Sequence, residues 1–571
     1  MFRTRQYAVF FVFVAILFAF VFRLFFIQVI SYDRFADLAE KQHNNLLTIQ
    51  PARGTIYDRY LEPLAISLTI SSVFADPRQV SDRNKTADIL AKIIGADKQE
   101  LLKQLNKTNK GFVWLKRKIT PEAAQKIKSL RLVGIYLAEE SKRNYPNENM
   151  ACHIVGFAGM DNNGLDGIEL LLDSKLKGRP GCRQLLRDAR MKPIMYDPKE
   201  FIPAQNGYNV VLNIDSVIQV IVEEELAKMA QKFNASGASV VIMDPNTGQI
   251  LALANYPSFD LNKPGKASRD IMTDTVVSRI FEPGSVFKVV TASAALDKGV
   301  CSVNDTFDCE MGNYNVRGRI LHDYHAYGML DFTNVVAKSS NIGVCKIAMK
   351  LGDKNLYDYI KQFGFGDKTD IDLPGEIGGI CRPPREWSRS DITTIPMGQG
   401  VAVTSIQLAC AISVIANGGY LVRPYVIDRI TTWEGDEIFK NSTLIKRKVL
   451  KAETCTKMKK ILREAVKVGT GKLANSKEYE ICGKTGTAQM VNPAGGYFDS
   501  KYHATFIGFA PMDKPRIAMV VTASDPHPVH FGGNVAGPTF KNITERVLQY
   551  LESNTDGTHA FKKEGKDGEK H

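Results

Sequence analysis

Hydrophobic and polar positions divide the chain into one uninterrupted apolar run and two patterned regimes behind it. From Tyr7 to Phe22 no charge breaks the sequence, and after Arg23 the run resumes to Ile30. That exceeds the roughly 20 apolar residues that cross a bilayer as a helix. Arg3 and Arg5 precede the run without an acid, so the positive flank predicts a cytoplasmic N-terminus and places everything after Ile30 on the far side. The run is longer than the apolar region of a signal peptide, and no small-x-small pattern follows in VISYDRFADLAE, which predicts an uncleaved anchor.

Residues 31 to 205 mix short strand-like runs such as Leu47 to Gln50 with a two-helix stretch at Lys85 to Leu105, punctuated by Gly and Pro. This reads as an elongated α+β module. A second regime opens near Asn209: VVLNID predicts a strand, Val217 to Lys232 a helix, and ASVVIM, DPNTG and QILALAN a strand, turn and strand. Helices are expected at Val286 to Asp297, Ser405 to Asn417 and Glu453 to Val468. Late strands follow at Glu480 to Gln489, Thr505 to Ala510 and Ile517 to Thr522, before a closing helix at Val535 to Leu551. An early hairpin, late strands and helices between them predict an α+β fold with one antiparallel sheet between helical layers. No period of solenoid length recurs. The end from Ser553 is polar and predicts a disordered tail.

Composition narrows the function. The 571 residues are 44% hydrophobic and 24% charged, which excludes a wholly disordered chain. A net charge of +13 invites a nucleic-acid reading, but Lys and Arg are spread out rather than clustered on a recognisable module. No nucleic-acid partner is expected; anionic lipid or wall polymer suits the charge equally well. Nine scattered cysteines without a C-x-x-C pair argue against a metal cage or redox motif, although Cys301 and Cys309 are close enough in sequence to bridge. His322 with His325 and His527 with His530 lack a carboxylate scaffold, so no metal site is expected.

Three short motifs lie in order in the second regime: Ser285-Val286-Phe287-Lys288, Ser339-Ser340-Asn341 and Lys484-Thr485-Gly486-Thr487. Pro283 and Gly284 make a turn, which puts Ser285 at a helix N-terminus where free amides favour a developing anion. Lys288 shares the helical face of Ser285, and it serves as a base only if burial or another cation lowers its pKa. Ser339 would cap the helix of KSSNIGVCKIAMKL and relay a proton, with Asn341 recognising an amide in the same cleft. The third motif reads as a strand. There Gly486 removes a side chain where a ligand backbone could approach, Lys484 supplies a cation, and the Thr485 and Thr487 hydroxyls bind a carboxylate. The amides of Thr487 and Ser285 would form an oxyanion hole.

The ordered trio is a signature shared by class A β-lactamases and penicillin-binding proteins. On it the chain resembles a class B penicillin-binding protein, a membrane-anchored D,D-transpeptidase of peptidoglycan synthesis. ARGTIYDR, RNYPNENMACHIVGFAG and GLDGIELLLDSKLKGRPG are similar to the family's pedestal motifs, and DPNTGQILALANYPSFD, MGQGVAVTS, ANGGYLVRP and ATFIGFAP to its catalytic domain. Tyr60-Leu61 departs from the Asn-Gly usual after D-R. The SSN form of the second motif, HDYHAYGML and FGGNVAGPTF look most like the cell-division branch, with elongation or sporulation variants as alternatives.

The resemblance implies a cytoplasmic arm over 1–6, an anchor over 7–30, a pedestal over 31–205, a transpeptidase domain with a five-stranded antiparallel sheet over 206–552, and a tail over 553–571. It implies acyl transfer from a stem pentapeptide through Ser285, acylation by β-lactams, and no cofactor. No glycan-polymerising domain is apparent, so a membrane-embedded polymerase and other division proteins are the expected partners. A β-lactamase would need a water-activating glutamate, for which Glu376 in LPGEIGG is the candidate. A non-catalytic scaffold would need degenerate motifs, and these are complete.

Overall fold

A computed structural model describes residues 2–34, 44–187 and 193–555. The apolar N-terminus is an α-helix, Phe2–Phe25, continued by a wider turn over Phe26–Ile30. Of it, Tyr7–Ile30 is long and apolar enough to cross a membrane. Helical structure thus begins before the apolar run, within the residues read as an arm. The terminal helix runs to Thr555, past its expected end; the remainder of the predicted tail lies outside the described residues.

The chain separates into two compact units. One comprises 1–53, 69–141 and 177–207; the other comprises 54–68, 142–176 and 208–571. In the smaller unit, helices Arg83–Ile94, Lys98–Leu105 and Pro121–Leu130 bury Leu90, Leu101 and Ile127 against Val73, Ala75 and Val113. Capping fixes their ends: Asp82, Asp97 and Thr120 each accept a first-turn amide, and Gly95 closes the first helix at φ 59°. Strands Asn44–Ile49, Gly181–Arg187 and Pro193–Ile202 form a separate antiparallel sheet.

The larger unit is built on five antiparallel strands: β1 (Gly237–Met243), β2 (Ile250–Tyr256), β3 (Cys482–Val491), β4 (Tyr497–Ala510) and β5 (Ile517–Ser524), in the order β2-β1-β5-β4-β3. Its principal helices are α1 (Ser216–Lys232), α2 (Lys288–Lys298), α3 (Asn341–Leu351), α4 (Ser405–Ala416), α5 (Ala452–Lys467) and α6 (Gly532–Thr555). Alternation along each strand sends side chains to two cores. Val240, Phe506 and Val521 meet α1 and α6 through Leu226, Phe540 and Val547. Val241, Ile507 and Val520 share the other core with Val290, Ile412 and Ile461, on α2, α4 and α5. Every residue of α4 is buried, so its polar N-terminus must be satisfied internally; Thr404 and Gln407 do this as a capping box. The sheet therefore lies between two helical layers, with β3 at its edge.

Residues 54–59 of the ARGTIYDR segment fold within this unit. Asp58 Oδ1 accepts from Tyr60 N and Glu62 N at 2.8 Å each, closing a tight turn. Leu61 takes φ 70°, the left-handed conformation that glycine adopts without cost. The departure at Tyr60-Leu61 keeps the turn and loads its strain onto one leucine.

All nine cysteines are free thiols, so Cys301 and Cys309 do not bridge. Cys309 Sγ instead accepts from Ser340 Oγ at 3.3 Å and points toward the Phe307 carbonyl.

Candidate active site

The three motifs converge on one cleft of about 940 Å³, lined by Ser285, Ser339, Asn341, Thr485 and Thr487 among others. Ser285 lies in a 3₁₀ turn, Gly284–Phe287, that leads directly into α2. Its helix therefore opens with the tighter turn, in which residues i and i+3 eclipse, aligning Ser285 with Lys288 more closely than an α-turn would. Gly284 takes φ 56°, and a side chain there would meet the Thr487 carbonyl at 2.8 Å.

Lys288 is fully buried. Its Nζ donates to the Ser339 carbonyl at 2.6 Å, to Asn341 Oδ1 at 2.7 Å and to Ser339 Oγ at 3.2 Å. Burial brings its pKa down to about 7, with the Asp323 carboxylate pulling upward against it. Lys484 is equally buried, and burial followed by the charge of Lys288 holds its pKa well below the ordinary lysine value. Lys484 Nζ donates to the Thr485 carbonyl at 3.1 Å, and the Thr485 and Thr470 hydroxyls share a 2.6 Å hydrogen bond. Thr487 Oγ1 accepts from Gly532 N at 3.1 Å, which ties β3 to the start of α6.

One reading of local structure needs correction. Ser340, not Ser339, caps α3, accepting from Gly343 N at 2.9 Å. Ser339 stands just before the cap in the left-handed region, φ 61°, and this backbone kink accompanies a carbonyl turned onto Lys288. Gly486 also has a close neighbour within the protein: a Cβ there would come within 2.9 Å of the Pro283 carbonyl and of Val286 Cγ1. The glycine admits the Ser285 turn against the strand.

Asp323, within HDYHAYGML, was not singled out from the sequence. Its Oδ2 accepts from Ser340 Oγ at 2.5 Å, and its Oδ1 accepts from the amides of Asn341 and Ile342. A carboxylate on the free amides opening α3 is the stabilising placement for a helix N-terminus, and it fixes the second motif under Lys288. Glu282 was missed as well: its carboxylate accepts from Gly400 N at 2.8 Å and from Tyr497 OH at 2.9 Å. Aromatic rings flank the cleft, with Tyr502 stacked on His530 at 4.0 Å and Tyr324 edge-on to Phe531 at 5.5 Å. Glu376 is not brought to the cleft. It is buried, and its carboxylate is engaged by Thr369 and the Asp370 amide.

A buried lysine of lowered pKa, one helical turn after a serine and with a strand edge opposite, suits acyl transfer, and comparison with known proteins agrees. Residues 238–545 match the penicillin binding protein transpeptidase domain, and 48–212 match the penicillin-binding protein dimerisation domain. Stage V sporulation protein D of Bacillus subtilis is 35% identical over 93% of this chain and 83% of its own length. The peptidoglycan D,D-transpeptidase FtsI of Escherichia coli is 33% identical over 94% of this chain and 90% of its own. Among solved structures, a peptidoglycan synthetase from Bifidobacterium adolescentis superposes with a TM-score of 0.72 at 26% identity, covering 89% of this chain and 97% of that one. Penicillin binding protein 3 of Mycobacterium tuberculosis, in complex with ampicillin, gives 0.70 at 28% identity over 89% and 96%.

Proposed function

The chain belongs to the class B penicillin-binding proteins, and from that membership we propose that it crosslinks peptidoglycan stem peptides as a D,D-transpeptidase, through an acyl-enzyme on Ser285. The observation that carries the assignment of residues is the fully buried Lys288, held by Ser339 and Asn341 with its pKa near 7. A lysine so tuned is part neutral at neutral pH and takes the Ser285 proton as the hydroxyl attacks the D-Ala-D-Ala carbonyl. The amides of Ser285 and Thr487 receive the oxyanion. Collapse breaks the C–N bond, the proton passes through Lys288 and Ser339 to the leaving nitrogen, and D-alanine departs. An amine of a neighbouring stem then attacks the ester and restores the serine.

Lys484, Thr485 and Thr487 receive the terminal carboxylate. In the free cleft burial favours neutral Lys484; an arriving carboxylate supplies the opposite charge that favours its cationic form. β-Lactams acylate Ser285 as mimics of the same substrate. Mass mapping after penicillin treatment tests the assignment: one adduct on the Ser285 peptide is expected, and none in Ser285→Ala. Turnover of the adduct within seconds would indicate a β-lactamase instead.

The same reading has the N-terminus in the cytoplasm, Tyr7–Ile30 in the membrane and the catalytic unit outside. It keeps 31–205 as pedestal and 206–552 as transpeptidase domain, with 54–68 and 142–176 the pedestal stretches that fold as part of the larger unit. Partners are a membrane-embedded glycan polymerase and other division proteins. FtsI-type similarity supports a septal role, and the sporulation protein's similarity supports the alternative. Depletion imaging separates them: filamenting cells support the septal role, and normal growth with failed sporulation supports the other.

A further inference from the structure

A second cavity, of about 160 Å³, opens at the end of the central sheet beside the first residue of α4. Its floor is hydroxylic: Ser239 Oγ and Thr522 Oγ1 lie 2.7 Å apart, and Ser524 Oγ lies 3.2 Å from His503 Nδ1. Phe281 forms a wall, its ring 5.1 Å from that of His503. Burial takes the His503 pKa down to about 4, with Arg279 adding in the same direction, so the imidazole is neutral at physiological pH. At the exposed rim stand Asp270 and Arg279. Among the described residues neither side chain makes a hydrogen bond or ion pair, and they do not pair with each other.

Opposite charges on one rim, each without a partner, suit a ligand that carries both signs on a short frame. The volume admits a molecule the size of alanine. We propose that this cavity is a second site, for a small zwitterionic amino acid: carboxylate on Arg279, ammonium on Asp270 and alkyl group against Phe281. The identification of that amino acid as D-alanine rests on the transpeptidase reading, in which each acylation releases it at the neighbouring cleft. Two segments join the sites: Phe281 lies four residues before Ser285, and His503 adjoins Ala504, the β-sheet partner of Thr487. Occupancy is thus placed to report released product to the catalytic strand.

The test is calorimetric titration of the detergent-solubilised full chain with D-alanine, using propionate and ethylamine as single-charge probes. It is run on the unmodified chain and on Arg279→Ala, Asp270→Ala and Ser285→Ala, each also labelled with fluorescent penicillin. Saturable binding is expected in the unmodified chain and in Ser285→Ala, with affinity at least tenfold lower for either single-charge probe. Arg279→Ala and Asp270→Ala should lose at least tenfold in affinity while labelling with penicillin at the unmodified rate. No saturable binding, binding undiminished in both rim variants, or binding lost in Ser285→Ala would overturn the second site. Glycine or L-alanine binding tightly with D-alanine excluded would overturn the product identification alone. Absence of penicillin labelling in the unmodified chain would count against the transpeptidase reading, which the binding data do not test.

Discussion

Lys288 Nζ donates to the amide oxygen of Asn341 at 2.7 Å, so the candidate general base is held by a neutral acceptor rather than a carboxylate. That choice matters because an anion at this distance would favour the ammonium form. With the pKa near 7, penicillin acylation should rise about tenfold per pH unit below neutrality and level off above it, as the neutral amine accumulates. Asn341→Asp should move that acid limb upward by about one pH unit or more and slow acylation at pH 7 by roughly tenfold. Stopped-flow acylation across pH 5 to 9 checks both; an unmoved limb would remove Lys288 from the role of base.

Asp323 predicts the opposite displacement. Its charge raises the Lys288 pKa, so Asp323→Asn should shift the acid limb to lower pH. Asparagine retains an oxygen for the Asn341 and Ile342 amides, which keeps most of the cap. The same pH series reads it. A fall in rate at every pH without a shift would mean that Asp323 acts through geometry alone.

Much of this site was legible in the sequence because its residue types recur at fixed short spacings on strongly periodic elements. The trio, its order and the strand and helix around each motif are local features. What escaped depends on chain segments meeting. Asp323 reaches Ser340 only through the folding of the hairpin before it, and no spacing reveals that. The cap falls to Ser340 rather than Ser339 because the left-handed kink delays α3 by one residue, and either serine suits a cap from sequence. Strand β4 begins at Tyr497 rather than Thr505 because its first half is exposed and polar, so periodicity marks only the buried half.

Leu61 offers a stability test. Its side chain is 55% exposed, so little packing is lost on truncation, while its φ of 70° costs a leucine roughly 1 kcal/mol or more. Part of the gain from Leu61→Gly is offset by the greater freedom of glycine in the unfolded chain. A net stabilisation of about 0.5 kcal/mol is expected from thermal unfolding. Destabilisation would show that Leu61 contributes packing its exposure conceals.

The buried pair Arg143 and Glu169, 2.5 Å apart and 2% and 0% exposed, predicts a large loss in the other direction. Tyr145 OH also donates to Glu169. Glu169→Gln leaves the arginine charge buried and should cost about 3–5 kcal/mol, seen as a lowered unfolding temperature or failure to accumulate. Replacing both residues with apolar side chains of similar volume should recover most of that loss. If the double variant is as unstable as the single, the pair contributes more than mutual neutralisation.

Glu282 links three segments around Ser285. It precedes Pro283 in the turn that carries Ser285, receives Gly400 N next to the cleft residue Gln399, and receives Tyr497 OH from the strand opposite Val491. Burial and then this carboxylate push the Tyr497 hydroxyl up to about 12, which keeps the phenol a donor across the working pH range. Glu282→Ala releases both contacts and should lower the acylation rate constant by roughly tenfold, since small misplacements of a nucleophile cost that much or more. Tyr497→Phe releases one contact and should cost less, about two- to threefold. Glu282→Gln retains an acceptor for Gly400 N and should recover most of the rate. Separating the acylation step from initial binding distinguishes the outcomes, because displacement of the turn slows the bond-forming step, whereas a general loosening of the unit lowers the unfolding temperature and weakens binding together. An acylation constant unchanged in Glu282→Ala would show that the Gly284 and Gly398 backbones, in contact through a 3.2 Å hydrogen bond, hold the turn without it.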